Sequence, residues 1–389
     1  MRDTPTLALP PIVLHPPYTL SLPHTSRHPG GGTPSPQTYF STPHRHHSRI
    51  YTIDTPALPP EIQYLYNIYM EHVITILDAY TTTHGSISWD GLEGLGRVVA
   101  YDRTSPSDVV ARCIDSDIVL TNKVVIDSSI MSQLPKLAYI GVLATGYNVV
   151  DIAYAAAHGI VVSNVPAYSS ASVAQMVIAH LLNVTNNIAH YADECRRGRW
   201  ASSPDFCFLD TQTRELEGQA MGIVGMGNIG SRVATAANAL GMRVLAVTSK
   251  RPSELPPYVT PVSPDTLFKT ADVISLHCPL TDSTRHMVNA TTLAMVRPGA
   301  IIINTGRGDL VDEEAVAQAL TAGTLSAYCA DVLSAEPPAA DNPLVRHPRA
   351  FLTPHIAWAS LEARQRLVAV ATENVRAFIE GRPQNNVAL

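Results

Sequence analysis

Three side chains that could act together on a carbonyl, Arg307, Glu336 and His355, each follow a short apolar run in the C-terminal half of the chain. Arg307 comes after Ile301-Ile302-Ile303-Asn304-Thr305-Gly306, Glu336 after Asp331-Val332-Leu333-Ser334-Ala335, and His355 after Leu352-Thr353-Pro354. In an open α/β sheet ligands sit beyond the carboxyl ends of the strands, so residues placed there are the first candidates for a site. A guanidinium forks two donors onto a carboxylate and can polarise a neighbouring carbonyl. An imidazole can donate the proton that a carbonyl oxygen needs as hydride arrives, and a carboxylate beside it orients the ring and favours its charged form. The set suits a 2-keto acid. Taken one at a time, the three also read as a surface turn, a loop charge beside Pro337 and a satisfied loop histidine.

A glycine-rich turn would bring the second reactant. Gly222-Ile223-Val224-Gly225-Met226-Gly227-Asn228-Ile229-Gly230 follows a strand, Ala220 to Val224, and opens a helix, Ile229 to Leu240. Gly225 permits the tight turn, Gly227 lets backbone N–H groups approach a pyrophosphate, and Gly230 lets helix and strand pack closely. The helix N-terminus, with Asn228 and Ile229, then faces the phosphates. Alone the pattern is weak, but with a strand before it and a helix after it, it reads as a dinucleotide site. An NAD-selective site usually ends its second strand in Asp or Glu, which bonds the ribose hydroxyls. Here Val244-Leu245-Ala246-Val247 runs into Thr248-Ser249-Lys250-Arg251, hydroxyls and cations without an acid. A 2′-phosphate would find charge-assisted donors there, so NADP(H) is the expected cofactor, with NAD(H) possible. A solvated basic turn is the alternative.

Together these segments resemble the D-isomer-specific 2-hydroxyacid dehydrogenase family, and the resemblance runs from Met70 to Val387. It is carried by Gly225 to Gly230, Ser275-Leu276-His277-Cys278-Pro279-Leu280-Thr281, Asn304-Thr305-Gly306-Arg307-Gly308-Asp309-Leu310-Val311-Asp312, Asp331 to Pro337, and Thr353-Pro354-His355-Ile356-Ala357. The resemblance implies a triad of His355 as acid/base, Glu336 as its partner and Arg307 holding substrate. It also implies that Asp331 contacts the nicotinamide amide, and that Thr305 and Pro279 line the cofactor cleft with Cys278, Gly306, Arg307 and His355. Leu143-Ala144-Thr145-Gly146-Tyr147-Asn148 looks like the family's substrate loop, with the N–H groups of Thr145 and Gly146 binding the substrate carboxylate; an ordinary glycine turn is the alternative.

Within the family, Ala144 to Val149, Asn164 to Tyr168, Asp205-Phe206-Cys207-Phe208 and His355-Ile356-Ala357-Trp358 look most like the glycerate dehydrogenase or hydroxypyruvate reductase branch. Trp358 would narrow the pocket for a short acid such as hydroxypyruvate or glyoxylate, or else belongs to the core. Other readings are a phosphoglycerate or D-lactate type of dehydrogenase, or a dinucleotide-sensing corepressor-like protein of the same fold. The resemblance implies a homodimer.

Short β-branched runs that alternate with helical patterns must position these residues. Strands are expected at His72–Tyr80, Arg97–Arg103, Asp117–Lys123, Leu137–Thr145 and Ile160–Val165, then at Ala220–Gly225, Arg243–Ser249, Asp272–Cys278, Ala300–Thr305, Ser326–Leu333 and Ala350–Pro354. The alternation predicts an α/β fold of two doubly wound, Rossmann-like domains. Between them Val173, Met176, Val177, Leu181, Val184 and Ile188 recur at helical spacing, which predicts one long helix over Ser169–Arg196, capped by Ser169, Ser170 or Ser172. The last helix, Leu361 to Glu380, has no further strand to pair with and should pack back on the first domain. The substrate domain is therefore expected to be discontinuous, 70–167 with 357–389, around a dinucleotide-binding domain, 168–356.

Bulk properties exclude other classes. With 27 Lys and Arg against 33 Asp and Glu, the net charge of −6 gives no electrostatic case for nucleic acid. No apolar run approaches the roughly 18 residues of a membrane span. The five cysteines form no C-x-x-C pair, which argues against a zinc site and suits a reducing, cytoplasmic setting. Residues 1–69 are crowded with Pro, His, Ser and Thr and carry only Asp3, Asp54 and Glu61 as acids, the composition of a disordered extension. Arg2, Arg27, Arg45 and Arg49 would suit a transit peptide, but Pro10, Pro11, Pro16, Pro17 and Pro23 break any amphipathic helix. His44, His46 and His47 read as a polar tail rather than a metal site, so no metal is expected.

Overall fold

Every pairing between named strands is parallel, and the strands fall into two separate sheets. The computed structural model describes residues 72–388 of the chain; the expected N-terminal extension and its histidines lie outside them. The first sheet holds β1 (Val73–Ile76), β2 (Arg97–Ala100), β3 (Ile118–Thr121), β4 (Tyr139–Val142) and β5 (Val161–Ser163), in the order β2-β1-β3-β4-β5. The second holds β6 (Ala220–Val224), β7 (Arg243–Val247), β8 (Val259–Pro261), β9 (Val273–Leu276), β10 (Ala300–Asn304), β11 (Leu325–Ala330) and β12 (Ala350–Leu352), in the order β12-β11-β10-β9-β6-β7-β8. The two doubly wound sheets are those expected from the sequence. Their central strands are apolar along their whole length because both faces are covered: β3, β4, β6, β9 and β10 are buried at every position.

The order reverses beside β6, with β7 on one side and β9 on the other, so the crevice for a ligand opens beyond the carboxyl ends of β6 and β9. The glycine turn after β6 lies there and leads into the helix Asn228–Ala239. The crossing helix Ser170–Asn186 buries Ala174, Val177 and Leu181 in the core of the second sheet.

The C-terminal helix, Leu361–Ile379, returns to the first sheet. Ala363, Leu367, Ala371 and Val375, four residues apart, join Ile74, Ile76, Leu120 and Tyr139 in one apolar cluster. The tail beyond it is stitched to β5: Val387 N–H donates to Val162 O at 2.8 Å, and Asn386 forms an antiparallel bridge with Ser163.

Several local expectations are corrected. The run His72–Tyr80 is a strand only over Val73–Ile76; from Ala79 it is a short helix. The long helix predicted over Ser169–Arg196 is two, Ser170–Asn186 and Ile188–Arg196, divided at Asn187, which takes the left-handed conformation at φ 52°. None of the three serines caps it: Ser169 makes no capping bond, Ser170 Oγ donates to Ala167 O, and Ser172 Oγ donates to Ala357 O. The sequence reading missed β8, three residues long, which ends in Pro261 on an edge where a missing N–H costs no ladder bond.

Candidate active site

Residues from both sheets meet around a cleft of about 440 Å³. Its second-sheet wall carries Arg307, His355 and Asp331 with Gly227, Asn228, Ile229, His277 and Thr305; its first-sheet wall carries Asn122, Lys123, Ala144, Thr145 and Gly146.

Backbone geometry places His355. The residue takes φ 53°, the left-handed region, on the turn after β12. Buried Asp331, just past β11, holds that turn: its backbone carbonyl accepts the His355 N–H at 2.9 Å, and its carboxylate accepts the N–H groups of Ile356 and Ala357 and the Thr353 hydroxyl. The ring then meets Glu336, with Nδ1 2.5 Å from Oε2. Glu336 is held in turn by the Leu333 N–H on its other oxygen at 3.0 Å. Burial works to raise the Glu336 carboxyl, but the His355 hydrogen bond and charge, the Leu333 N–H and the Lys123 ammonium outweigh it and hold the group below its ordinary 4.5. Glu336 is thus an ionised acceptor that fixes Nδ1 as the protonated nitrogen. Nε2 has no hydrogen bond among the described residues.

Arg307 leaves β10 and crosses to the other wall, where its Nη2 would lie 3.2 Å from a β-carbon built on Gly146. The N–H groups of Thr145 and Gly146 have no partner among the described residues. The Thr145 side chain and carbonyl are fixed instead, the hydroxyl to Val165 O at 3.0 Å and the carbonyl by Asn164 Nδ2 at 2.8 Å. A carboxylate in this gap would find two backbone donors and one guanidinium.

The glycine turn has the expected division of labour. A β-carbon on Gly230 would lie 2.0 Å from Gly225 O, one on Gly225 would strike the backbone of His277 and Cys278 at 2.7 and 2.8 Å, and one on Gly227 would meet nothing within 4 Å. Gly225 and Gly230 are therefore packed and Gly227 is open, with no side chain capping the helix start. Thr305 Oγ1 is buried without a partner on the same cleft wall. An open, uncapped helix start and an orphaned hydroxyl fit a bound nicotinamide dinucleotide.

The other residues expected at the cofactor have varied surroundings. Of residues 277–279, His277 borders the cleft, whereas Pro279 is exposed and the Cys278 sulfur sits 3.7 Å from Met287 Sδ. The His277 ring, with Nε2 2.8 Å from Ser275 Oγ, is pushed down to about 4 by burial. The Asp331 carboxylate, expected at the nicotinamide amide, already serves the His355 turn. Gly306, between Thr305 and Arg307 in the chain, donates its N–H to Asn304 Oδ1 at 3.0 Å. On the basic turn, Thr248 Oγ1 accepts the Lys250 N–H and Ser249 is exposed. Arg251 is tied to Glu254, with Nε 3.1 Å from Oε2, while Lys250 shares a second cavity with Gly227, Asn228 and Arg232.

Lys123 and Arg232 are among the residues of these walls that were missed in the sequence. Lys123 stands just past β3, its backbone N–H fixed at 2.6 Å by buried Asp78; strand ends of the first sheet, read by the same rule as those of the second, would have found it. Arg232 lies four residues after Asn228, one helical turn along the same face.

The sequence profile of the D-isomer specific 2-hydroxyacid dehydrogenase NAD binding domain matches residues 178–357. A hydroxypyruvate reductase of Blautia hydrogenotrophica is 42% identical over 318 residues, which cover 81% of this chain and 99% of the relative. The chain belongs to the D-isomer specific 2-hydroxyacid dehydrogenase family. A glycerate dehydrogenase of Methylorubrum extorquens is 40% identical over 290 residues, 74% of this chain and 90% of that one. Among solved structures, the TT0316 protein of Thermus thermophilus superimposes with a TM-score of 0.72 at 33% identity, over 81% of this chain and 99% of that one. The protein is accordingly an oxidoreductase of nicotinamide-linked 2-hydroxyacid chemistry. No described helix is long and apolar enough to cross a membrane.

Proposed function

We propose that this dehydrogenase reduces hydroxypyruvate or glyoxylate to D-glycerate or glycolate, with NADP(H) preferred over NAD(H). The observation that carries the reading is the His355–Glu336 pair at 2.5 Å on the same cleft as Arg307 and the two unpartnered N–H groups of Thr145 and Gly146. Residues 70–167 with 357–389 act as the substrate domain and 168–356 as the dinucleotide domain.

The residues divide the work as follows. Thr145 and Gly146 N–H groups and Arg307 hold the substrate carboxylate and set the carbonyl towards His355. Glu336 keeps the Nδ1 proton, and Nε2 gives its proton to the carbonyl oxygen as the C–O bond becomes single. Gly225 to Gly230 and Thr305 hold a dinucleotide, which when bound supplies the hydride for the carbonyl carbon. Asp331 acts by fixing the turn that carries His355.

Lys250 and Arg232 support the NADP(H) preference, since neither is in an ion pair among the described residues and both border the cavity beside the glycine turn. Relatives named for hydroxypyruvate reduction and glycerate dehydrogenation support the substrate. Trp200, Phe206 and Leu209, exposed together on one loop, support a homodimer.

The test is initial-rate oxidation of NADPH and NADH with hydroxypyruvate, glyoxylate and pyruvate, run beside His355→Ala. NADPH-linked turnover of hydroxypyruvate that the substitution abolishes is the expected result. Dinucleotide binding without turnover of any of the three acids would overturn the assignment.

A further inference from the structure

Trp358 is bonded to the acid/base in a way the steps above leave unused. Its indole Nε1 donates to the His355 carbonyl oxygen at 2.8 Å. The same ring packs against the apolar cluster of the first sheet, edge-on to Tyr168 with centroids 6.5 Å apart, and borders the cleft. The two roles weighed for Trp358 from the sequence, pocket wall and core, are therefore joined in one side chain, and the hydrogen bond adds a third.

His355 needs such a bond. A residue with a β-carbon in the left-handed region is strained, so neighbouring groups must hold it there. Asp331 grips the turn through the His355 N–H and the two N–H groups that follow. The carbonyl side of His355 is bonded by the Trp358 indole alone among the described residues. Trp358 on the carbonyl and Asp331 on the Ile356 N–H thus hold the two ends of one peptide group, and with it the backbone angle at which His355 leaves the turn.

We propose that Trp358 is a positioning residue for proton transfer: its N–H fixes the His355 peptide and ties the angle of the acid/base to the core of the first sheet, on which the substrate loop is built. The inference rests on His355 acting as the proton donor in the reduction proposed above. It assigns Trp358 an effect on turnover rather than on substrate affinity.

Trp358→Phe keeps an aromatic ring and removes the donor, and Trp358→Leu removes both. Both variants are compared with the parent in melting temperature, NADPH dissociation constant, kcat and KM, and in the low-field NMR signal of the His355 Nδ1 proton, assigned by its loss in His355→Ala. In Trp358→Phe, kcat for hydroxypyruvate should fall about ten-fold while KM and the NADPH constant stay within about two-fold, and the low-field proton should broaden or shift. Trp358→Leu should show the same loss of kcat. An unchanged kcat with a raised KM would make the indole a pocket wall and overturn the proposal, as would a low-field proton unmoved in both variants. Should the parent protein reduce none of the acids, the proposed reaction fails; the NMR comparison needs no turnover and still decides whether Trp358 positions His355.

Discussion

Gly146 and Arg307 face each other so closely across the cleft that a β-carbon on Gly146 would lie 3.2 Å from the Arg307 Nη2. Even one methyl group must displace the guanidinium by a few tenths of an ångström. Gly146→Ala is expected to raise KM for the keto acid about ten-fold, because the carboxylate loses its fit between backbone donors and guanidinium. NADPH affinity, measured by fluorescence titration, should not change. A loss shared equally by both ligands would mean that the substitution deforms the whole cleft.

Thr305 gives a prediction with two signs. Its hydroxyl is buried without a partner, a desolvation cost of about 1–3 kcal/mol in the ligand-free protein. Thr305→Val keeps the shape and removes that cost, so the ligand-free protein should melt at a higher temperature. The dinucleotide should bind more weakly at the same time. Calorimetric melting without ligand and titration with NADPH and NADH check the two halves.

The basic turn after β7 separates two cations that the sequence treats alike. Arg251 is clamped to Glu254, whereas Lys250 borders the cavity it shares with Arg232. Lys250→Ala or Arg232→Ala should raise KM for NADPH about ten-fold and leave NADH within about two-fold; Arg251→Ala should do little to either. Steady-state kinetics with both cofactors decide it, and a larger effect at Arg251 than at Lys250 would reverse the assignment.

His277 should leave a mark on stability against pH. Burial pushes its imidazole down to about 4 from the ordinary 6.5, so between those values the unfolded chain takes up a proton that the folded chain refuses. Stability is full above pH 6.5 and falls as the pH is lowered towards 4. His277→Gln should flatten that slope by a contribution on the order of 2 kcal/mol. Chemical denaturation at about pH 7 and about pH 4.5 gives the comparison; parallel slopes for parent and variant would refute it.

What could be read in the sequence is what depends on neighbours along the chain. Apolar runs such as Ile301 to Ile303 marked the central strands because strands covered on both faces tolerate little else. Arg307, Glu336 and His355 could be singled out because strand ends are where a parallel sheet gathers its ligand-facing side chains, and the structure brings His355 and Glu336 together there. Features set by distant contacts were hidden. The break at Asn187 was masked by an apolar stripe that continues to Ile188, although Asn is among the residues that tolerate the left-handed conformation. The hydroxyl of Ser172 was expected at a helix cap, but Ala357, 185 positions away, takes it. Three residues ending in proline gave β8 no alternation to detect. The grip of Asp331 and Trp358 on the His355 peptide depends on β11 and β12 lying side by side, which no local pattern specifies.

The return of the C-terminal helix to the first sheet has a consequence for how the chain is made. Ile74, Ile76, Leu120 and Tyr139 emerge from the ribosome long before Leu367, Ala371 and Val375, which cover them, and β5 waits still longer for Val387. The second sheet, continuous from 220 to 352, has all its strands while the first is still missing a face. Domains generally fold as units during synthesis. In this chain the later-made sheet can close first, and the earlier one keeps an uncovered apolar face until Ala363 to Val387 arrive.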